Sequence, residues 1–109
     1  MGAVEGASVP QHAVHFAVYS WKEGAPVDEI ERGFDELCTL GDDIPGVRMV
    51  SWGLNTSEFA NGYTHAMIIV GDDAAAVRAY RERAGNHPIA EVARVSEEAG
   101  IGVDYSRPA

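Results

Sequence analysis

Residues 63–70 carry an unbroken apolar run, Ala66, Met67, Ile68 and Ile69. A strand with one buried face alternates apolar and polar side chains, whereas a strand that is apolar at every position needs cover on both faces. Whatever this chain of 109 residues folds into must therefore bury both sides of at least one strand. That length is near the commonest size for a single domain, and its 46% hydrophobic content is enough for one core.

The flanking sequence supplies further strands and the helices to cover one side. Residues 13–21 set Val14, Phe16, Val18 and Ser20 against His15, Ala17, Tyr19 and Trp21, which is a strand with two different faces. Pro26 with Asp28 and Glu29 is a sound helix start, because the first turn tolerates proline and favours negative charge. Ile30, Phe34, Leu37 and Cys38 follow at helical spacing, so a helix is expected over residues 26 to about 40, closed by Gly41.

A turn at Ile44, Pro45 and Gly46 precedes a second strand, residues 47–54, with Val47, Met49, Ser51 and Gly53 on one face and Arg48, Val50, Trp52 and Leu54 on the other. After the third strand, Asp72 and Asp73 cap a helix from Ala74 to about Arg83. Asn86 is placed to cap another, containing Pro88, Ile89, Val92, Ala93 and Val95 and running to about Ala99. A last strand is expected over residues 101–105. Residues 1–11 lack hydrophobic periodicity and are expected to be a flexible arm, 12–105 to form the domain, and 106–109 to be a tail.

The order β-α-β-β-α-β, with its second helical region split, predicts an α+β, ferredoxin-like protomer: a four-stranded antiparallel sheet with helices on one face. If Trp52, His15 and the apolar residues of the third strand face away from those helices, a second copy of the sheet is the economical lid. The outcome would be a homodimer with an α+β barrel between its sheets.

Composition excludes several function classes. Seventeen acidic against eight basic residues give a formal charge of −9, which repels phosphate backbones, so no nucleic-acid partner is expected. No apolar stretch approaches the roughly 20 residues of a spanning helix, so no membrane partner is expected. Residues 1–11 lack a basic segment followed by an apolar one and do not read as a secretory signal, which makes a cytoplasmic location the expectation.

In that setting the sequon at Asn55 is a chance match. Cys38 reads as a small hydrophobe, and the pairs Asp42-Asp43 and Asp72-Asp73 as solvated caps. His12 and His15 have no further ligands at metal-binding spacing, and no glycine-rich phosphate loop is present, so neither metal nor cofactor is expected.

In sequence order stand His15 and Lys22, Ile44-Pro45-Gly46-Val47, Trp52-Gly53, Gly62-Tyr63-Thr64-His65, Ala79-Tyr80, His87-Pro88 and Val103-Asp104-Tyr105. Together they resemble the stress-responsive dimeric α/β barrel (Dabb) family over residues 13–105. The resemblance implies a ferredoxin-like protomer, a homodimer, and members that range from heat-stable stress proteins to a plant polyketide cyclase. In that cyclase a histidine and a tyrosine promote an aldol-type ring closure without a cofactor.

The cyclase tyrosine corresponds to Tyr80. Its histidine corresponds to Asn86 when counted without gaps, or to His87 with one inserted residue. The family's opening histidine matches His15, and its Asp-Tyr matches Asp104 and Tyr105. On this basis His87 is the candidate base, Tyr80 the candidate donor and Asp104 the orienting carboxylate, with His15, Asn86, Trp52 and His65 as further substrate-binding candidates.

Structural alternatives stand beside these roles. Tyr80 shares a helix face with Val77 and Ala84, His87 is a first-turn residue before Pro88, and His15 and His65 are strand residues that backbone or side-chain partners can satisfy. The function implied is a cofactor-free cyclase or lyase acting on a polyketide or similar polycarbonyl compound. The rivals are a non-catalytic stress-related dimer and a cofactor-free monooxygenase of the related dimeric barrel type.

Overall fold

The computed structural model describes residues 11–109, so the expected arm, apart from Gln11, lies outside the described residues. The elements follow the order β1 (Gln11–Trp21), α1 (Val27–Leu40), a 3-10 turn (Gly41–Asp43), β2 (Val47–Leu54), β3 (His65–Gly71), α2 (Ala74–Gly85), α3 (Pro88–Ser96) and β4 (Glu97–Pro108). The sheet is antiparallel throughout, in the order β2-β3-β1-β4, with the helices on one face. This is the α+β, ferredoxin-like arrangement the sequence predicts.

The third strand starts at His65 rather than Tyr63, and the larger differences from expectation lie in the last helix and strand. The last helix stops at Ser96 rather than near Ala99, because β4 begins at Glu97 and pairs at once with Trp21. The helix-forming preference of Glu97, Glu98 and Ala99 yields to the ladder hydrogen bonds of a neighbouring strand. At its other end β4 runs on to Pro108 opposite Gln11, so residues 106–108 are paired strand instead of tail. The cap of α3 is His87, not Asn86, which caps the C-terminal end of α2.

Under the helices lie two joined apolar clusters. One holds Ala13, Ile44, Ile69, Val77 and Tyr80; the other holds Ile30, Phe34, Leu37, Met67 and Ile89. Helix α1 contributes its stripe Ile30, Gly33, Phe34 and Leu37, as its helical spacing requires. Gly33 is what lets α3 approach: a Cβ there would stand 2.2 Å from Ile89 Cγ1.

The sheet's alternation assigns the second face. Trp52 and His15 turn toward the helices, a correction to the expectation that they line the open face. The open face is built instead from Val14, Phe16 and Val18 of β1, Ile68 and Val70 of β3, and Ile101, Val103 and Tyr105 of β4, with Phe16 in register with Ile68 and Val103. Phe16, Met49, Ile101, Val103 and Tyr105 remain 38–51% exposed there, so an apolar sheet face is left uncovered by the protomer itself.

Candidate functional site

A cavity of about 310 Å³ opens between the sheet and helices α2 and α3, within the size range of small-molecule sites. Its walls are apolar, with Phe34, Leu37, Met67 and Ile69 among them; its polar groups are His15 and Tyr19 of β1, Tyr80 and Arg81 of α2, Arg94 of α3 and Glu97 of β4. His15 and Tyr19 both reach it because they lie four positions apart on one strand, an even separation that keeps them on the same face.

His15 has a defined partner. Asp104 sits directly opposite it across β1 and β4, and the carboxylate accepts a 2.7 Å hydrogen bond from Nδ1. That bond, followed by the charge of the imidazole and of Arg81, holds the Asp104 carboxyl below its ordinary 3.8, so near neutrality it is an acceptor only. In the neutral imidazole a proton on Nδ1, facing the carboxylate, leaves Nε2 as the acceptor, and Nε2 makes no hydrogen bond to another described residue.

Tyr19 stacks on Trp21, ring centroids 5.4 Å apart. Burial pushes the Tyr19 phenol up, Glu97 adds to the shift and Arg81 opposes it, so the hydroxyl keeps its proton and is available as a donor. Neither Tyr19 nor Arg81 was singled out from sequence. The strand alternation that put Tyr19 on the face of His15 was the available signal for the first, and nothing local marked the second.

The other candidates are placed differently. Tyr80 lines the cavity, but its hydroxyl donates a 2.7 Å bond to the Leu37 carbonyl, which is free because the Gly41 N–H at the end of α1 turns to Cys38 and Thr39. Burial, then the neighbouring Cys38 and Tyr19, raises the Tyr80 phenol far above its usual value. His87 lies outside the cavity, in a shallow groove between α1 and α3.

Both nitrogens of His87 are engaged: Nδ1 accepts from the Ile89 N–H at 3.0 Å, and Nε2 is 2.8 Å from Glu36 Oε1. Asp104, expected to orient His87, is therefore bonded to His15, and Glu36 takes its place at His87. Asn86 does not line the cavity.

His65 and Trp52 belong to an aromatic cluster at the far end of the helix-facing side. His65 is 3% exposed, with Nδ1 accepting from Trp21 Nε1 at 3.1 Å and bonded to Thr64 Oγ1, and Nε2 2.8 Å from Glu31. Trp52 stacks on its ring at 5.8 Å and donates its own N–H to Asp35 at 2.7 Å. These contacts occupy every polar atom of both rings.

Among the described residues, no group of three or more His, Cys, Asp or Glu side chains is placed to hold a metal ion, and no helix is long and apolar enough to cross a membrane. Asp73 accepts from Ala76 N–H as the α2 cap, and Asp72 pairs with Arg48. Burial and Asp35 push the Cys38 thiol up, which disfavours its thiolate.

The sequence matches the stress-responsive A/B barrel domain profile over residues 12–105. The chain belongs to the Dabb family. Solved structures share the fold. A dimeric ferredoxin-like protein of unknown function from Thermobifida fusca superposes with a TM-score of 0.73 at 18% identity, covering 90% of this chain and 92% of that one.

The Arabidopsis thaliana protein At3g17210 aligns at 25% identity with a TM-score of 0.65, covering 89% and 95%. A hydroxynitrile lyase from Passiflora edulis aligns at 19% identity with a TM-score of 0.67, covering 90% and 94%. No curated protein shows significant sequence similarity to the chain. Membership in the Dabb family fixes the fold.

Proposed function

We propose that this Dabb protein is a cytoplasmic, cofactor-free acid–base catalyst of the cyclase or lyase type, acting on a small polycarbonyl compound in the cavity between sheet and helices. The observation that carries this reading is the His15–Asp104 pair, in which Nδ1 is spent on the carboxylate while His15 lines the cavity. In an aldol-type closure Nε2 takes a proton from the carbon beside a carbonyl. The electron pair of that C–H bond moves onto the carbonyl oxygen, and the resulting enolate attacks a second carbonyl of the same molecule. The imidazolium formed is stabilised by Asp104 and returns its proton to the new alkoxide.

The Tyr19 hydroxyl, four strand positions and about 13 Å of backbone from His15, is placed to donate to a more distant oxygen, which suits an extended substrate with several carbonyls. In this reading Tyr80 shapes the wall and His87 braces α3, in place of the catalytic pairing the resemblance implies for them. The fold shared with a named hydroxynitrile lyase supports a lyase-type activity for such a cavity.

The same reading makes the protein a homodimer. The uncovered sheet face of Phe16, Val103, Ile101, Tyr105 and Met49 is self-complementary in character, and a second copy related by a two-fold axis buries it. The Thermobifida fusca protein of the same fold is described as dimeric.

The decisive experiment follows C–C bond formation or cleavage on a panel of linear polycarbonyl thioesters, their cyclised products and cyanohydrins, using wild type and His15→Ala. Turnover by wild type that is lost in His15→Ala supports the proposal. Turnover unaffected by the substitution overturns it.

A further inference from the structure

Beside the cavity runs a second, more open groove of about 630 Å³ between α2 and the edge formed by β1 and β4, and the one residue common to both walls is Arg81. Arg94 also lines the cavity, but its guanidinium is spent in a two-point pair with Glu91, at 2.9 and 2.6 Å. Arg78 reaches only the groove. Among the described residues no carboxylate lies within ion-pair distance of Arg81. Its natural neighbour, Asp104, is committed through Oδ1 to His15.

Arg81 is an exposed residue of α2 whose charge acts on the groups around the cavity. Its charge is felt at Asp104, after the larger effect of the His15 bond, and at the Tyr19 hydroxyl, after those of burial and Glu97. Arg81 lines the wall shared by the cavity, with its His15 and Tyr19, and the groove, with its Asp104. A free guanidinium is a planar fork of donors that matches the two oxygens of a carboxylate.

Charge decides which anion is suitable. The chain carries −9 overall, and the cavity holds Glu97 as well, so a doubly charged phosphate would meet one free cation against a repelling field. A single carboxylate is matched by one guanidinium, and its apolar remainder by Phe34, Leu37, Met67 and Ile69. Glu97 pairs with Trp21, six strand positions and about 20 Å of backbone from His15, so it repels an anionic end from its own side of the cavity and leaves Arg81 to hold it.

We propose that Arg81 is the substrate anchor and that the substrate is a singly charged oxo acid, its carboxylate held by Arg81 while the carbon beside its carbonyl faces His15. The proposal rests on the cavity being the reaction site, as argued above, and adds the class of compound it takes.

The test uses 4-oxopentanoate and its neutral methyl ester as probes, with binding followed by calorimetry and proton exchange at the carbons beside the ketone followed by NMR in D2O. Wild type is expected to bind the acid about 10-fold or more tighter than the ester, the scale of one charge-assisted contact. Arg81→Gln is expected to erase that preference, and Arg78→Gln to keep it, with both variants retaining the wild-type circular dichroism spectrum.

Equal binding of acid and ester, no binding of either, or equal loss of preference in both variants overturns the anchor. If the preference is present and depends on Arg81 but exchange is not accelerated over His15→Asn, the anchor stands and the acid–base reading falls. If His15-dependent exchange is seen equally for acid and ester and ignores Arg81, the catalytic reading stands and the anchor falls.

Discussion

Asp104 lies directly across the β1–β4 ladder from His15, with 2.7 Å between its Oδ1 and the imidazole Nδ1, although 89 residues separate the two along the chain. The relationship is set by strand register, so it is as rigid as the sheet. It favours the His15 tautomer protonated on Nδ1, at a residue that lines the cavity.

His15→Ala is expected to lower turnover of a confirmed substrate by about 10²- to 10⁴-fold, the usual contribution of a positioned general base. Asp104→Asn keeps the shape but weakens the hold on the imidazole, so kcat falls with little change in KM. Steady-state kinetics on both variants checks this.

Acid should expose the same pair. The Asp104 carboxyl is depressed in the folded protein, so its contribution is present above the unfolded value near 3.8 and is lost as pH falls through the lower folded value. Thermal unfolding curves are expected to show a steeper loss of stability below about pH 4 in wild type than in Asp104→Asn. Parallel curves would show that the pair contributes nothing.

Tyr80→Phe leaves the Leu37 carbonyl without its donor, a loss of about 1–3 kcal/mol in urea unfolding. Because burial raises the folded phenol, its contribution is complete below the unfolded value of 10.0 and declines as pH rises above it. The stability gap between wild type and the variant should therefore narrow above pH 10.

His87→Ala removes a helix cap and the contact with Glu36, and is expected to cost about 0.5–2 kcal/mol while turnover persists. Loss of turnover in a folded His87→Ala would return the catalytic role to this histidine.

At the open sheet face, Phe16→Asp places a charge in the centre of the patch formed with Ile68 and Val103. Sedimentation equilibrium should show the dimer replaced by monomer at micromolar concentration, since a buried unpaired charge costs several kcal/mol. An unchanged dimer would place the interface elsewhere.

Much of the fold was legible because its signals are local. The two faces of β1, the apolar stripe of α1, the Asp73 cap and the doubly apolar third strand are each written in a few adjacent residues, and the structure returns each one. The start of β4 was not legible, because residues 97–99 prefer helix in isolation and are drawn into strand only by β1 beside them. Trp52 was known to sit opposite Met49 in the strand, yet which of them met the helices depended on Phe34 and His65 packing against it.

The sequence alone determined the order of elements, the ferredoxin-like class, the family and the short roster of histidines worth weighing. Only tertiary structure decided among them. His65, His87 and His15 each meet a carboxylate, Glu31, Glu36 and Asp104, that lies 34, 51 and 89 residues away. The first two also spend their second nitrogen, on Trp21 and on the Ile89 amide, while among the described residues the second nitrogen of His15 makes no hydrogen bond. Side-chain direction repeats every two or every 3.6 residues and can be counted along a chain. Which ring nitrogen is left free is set by partners that only the folded chain brings together.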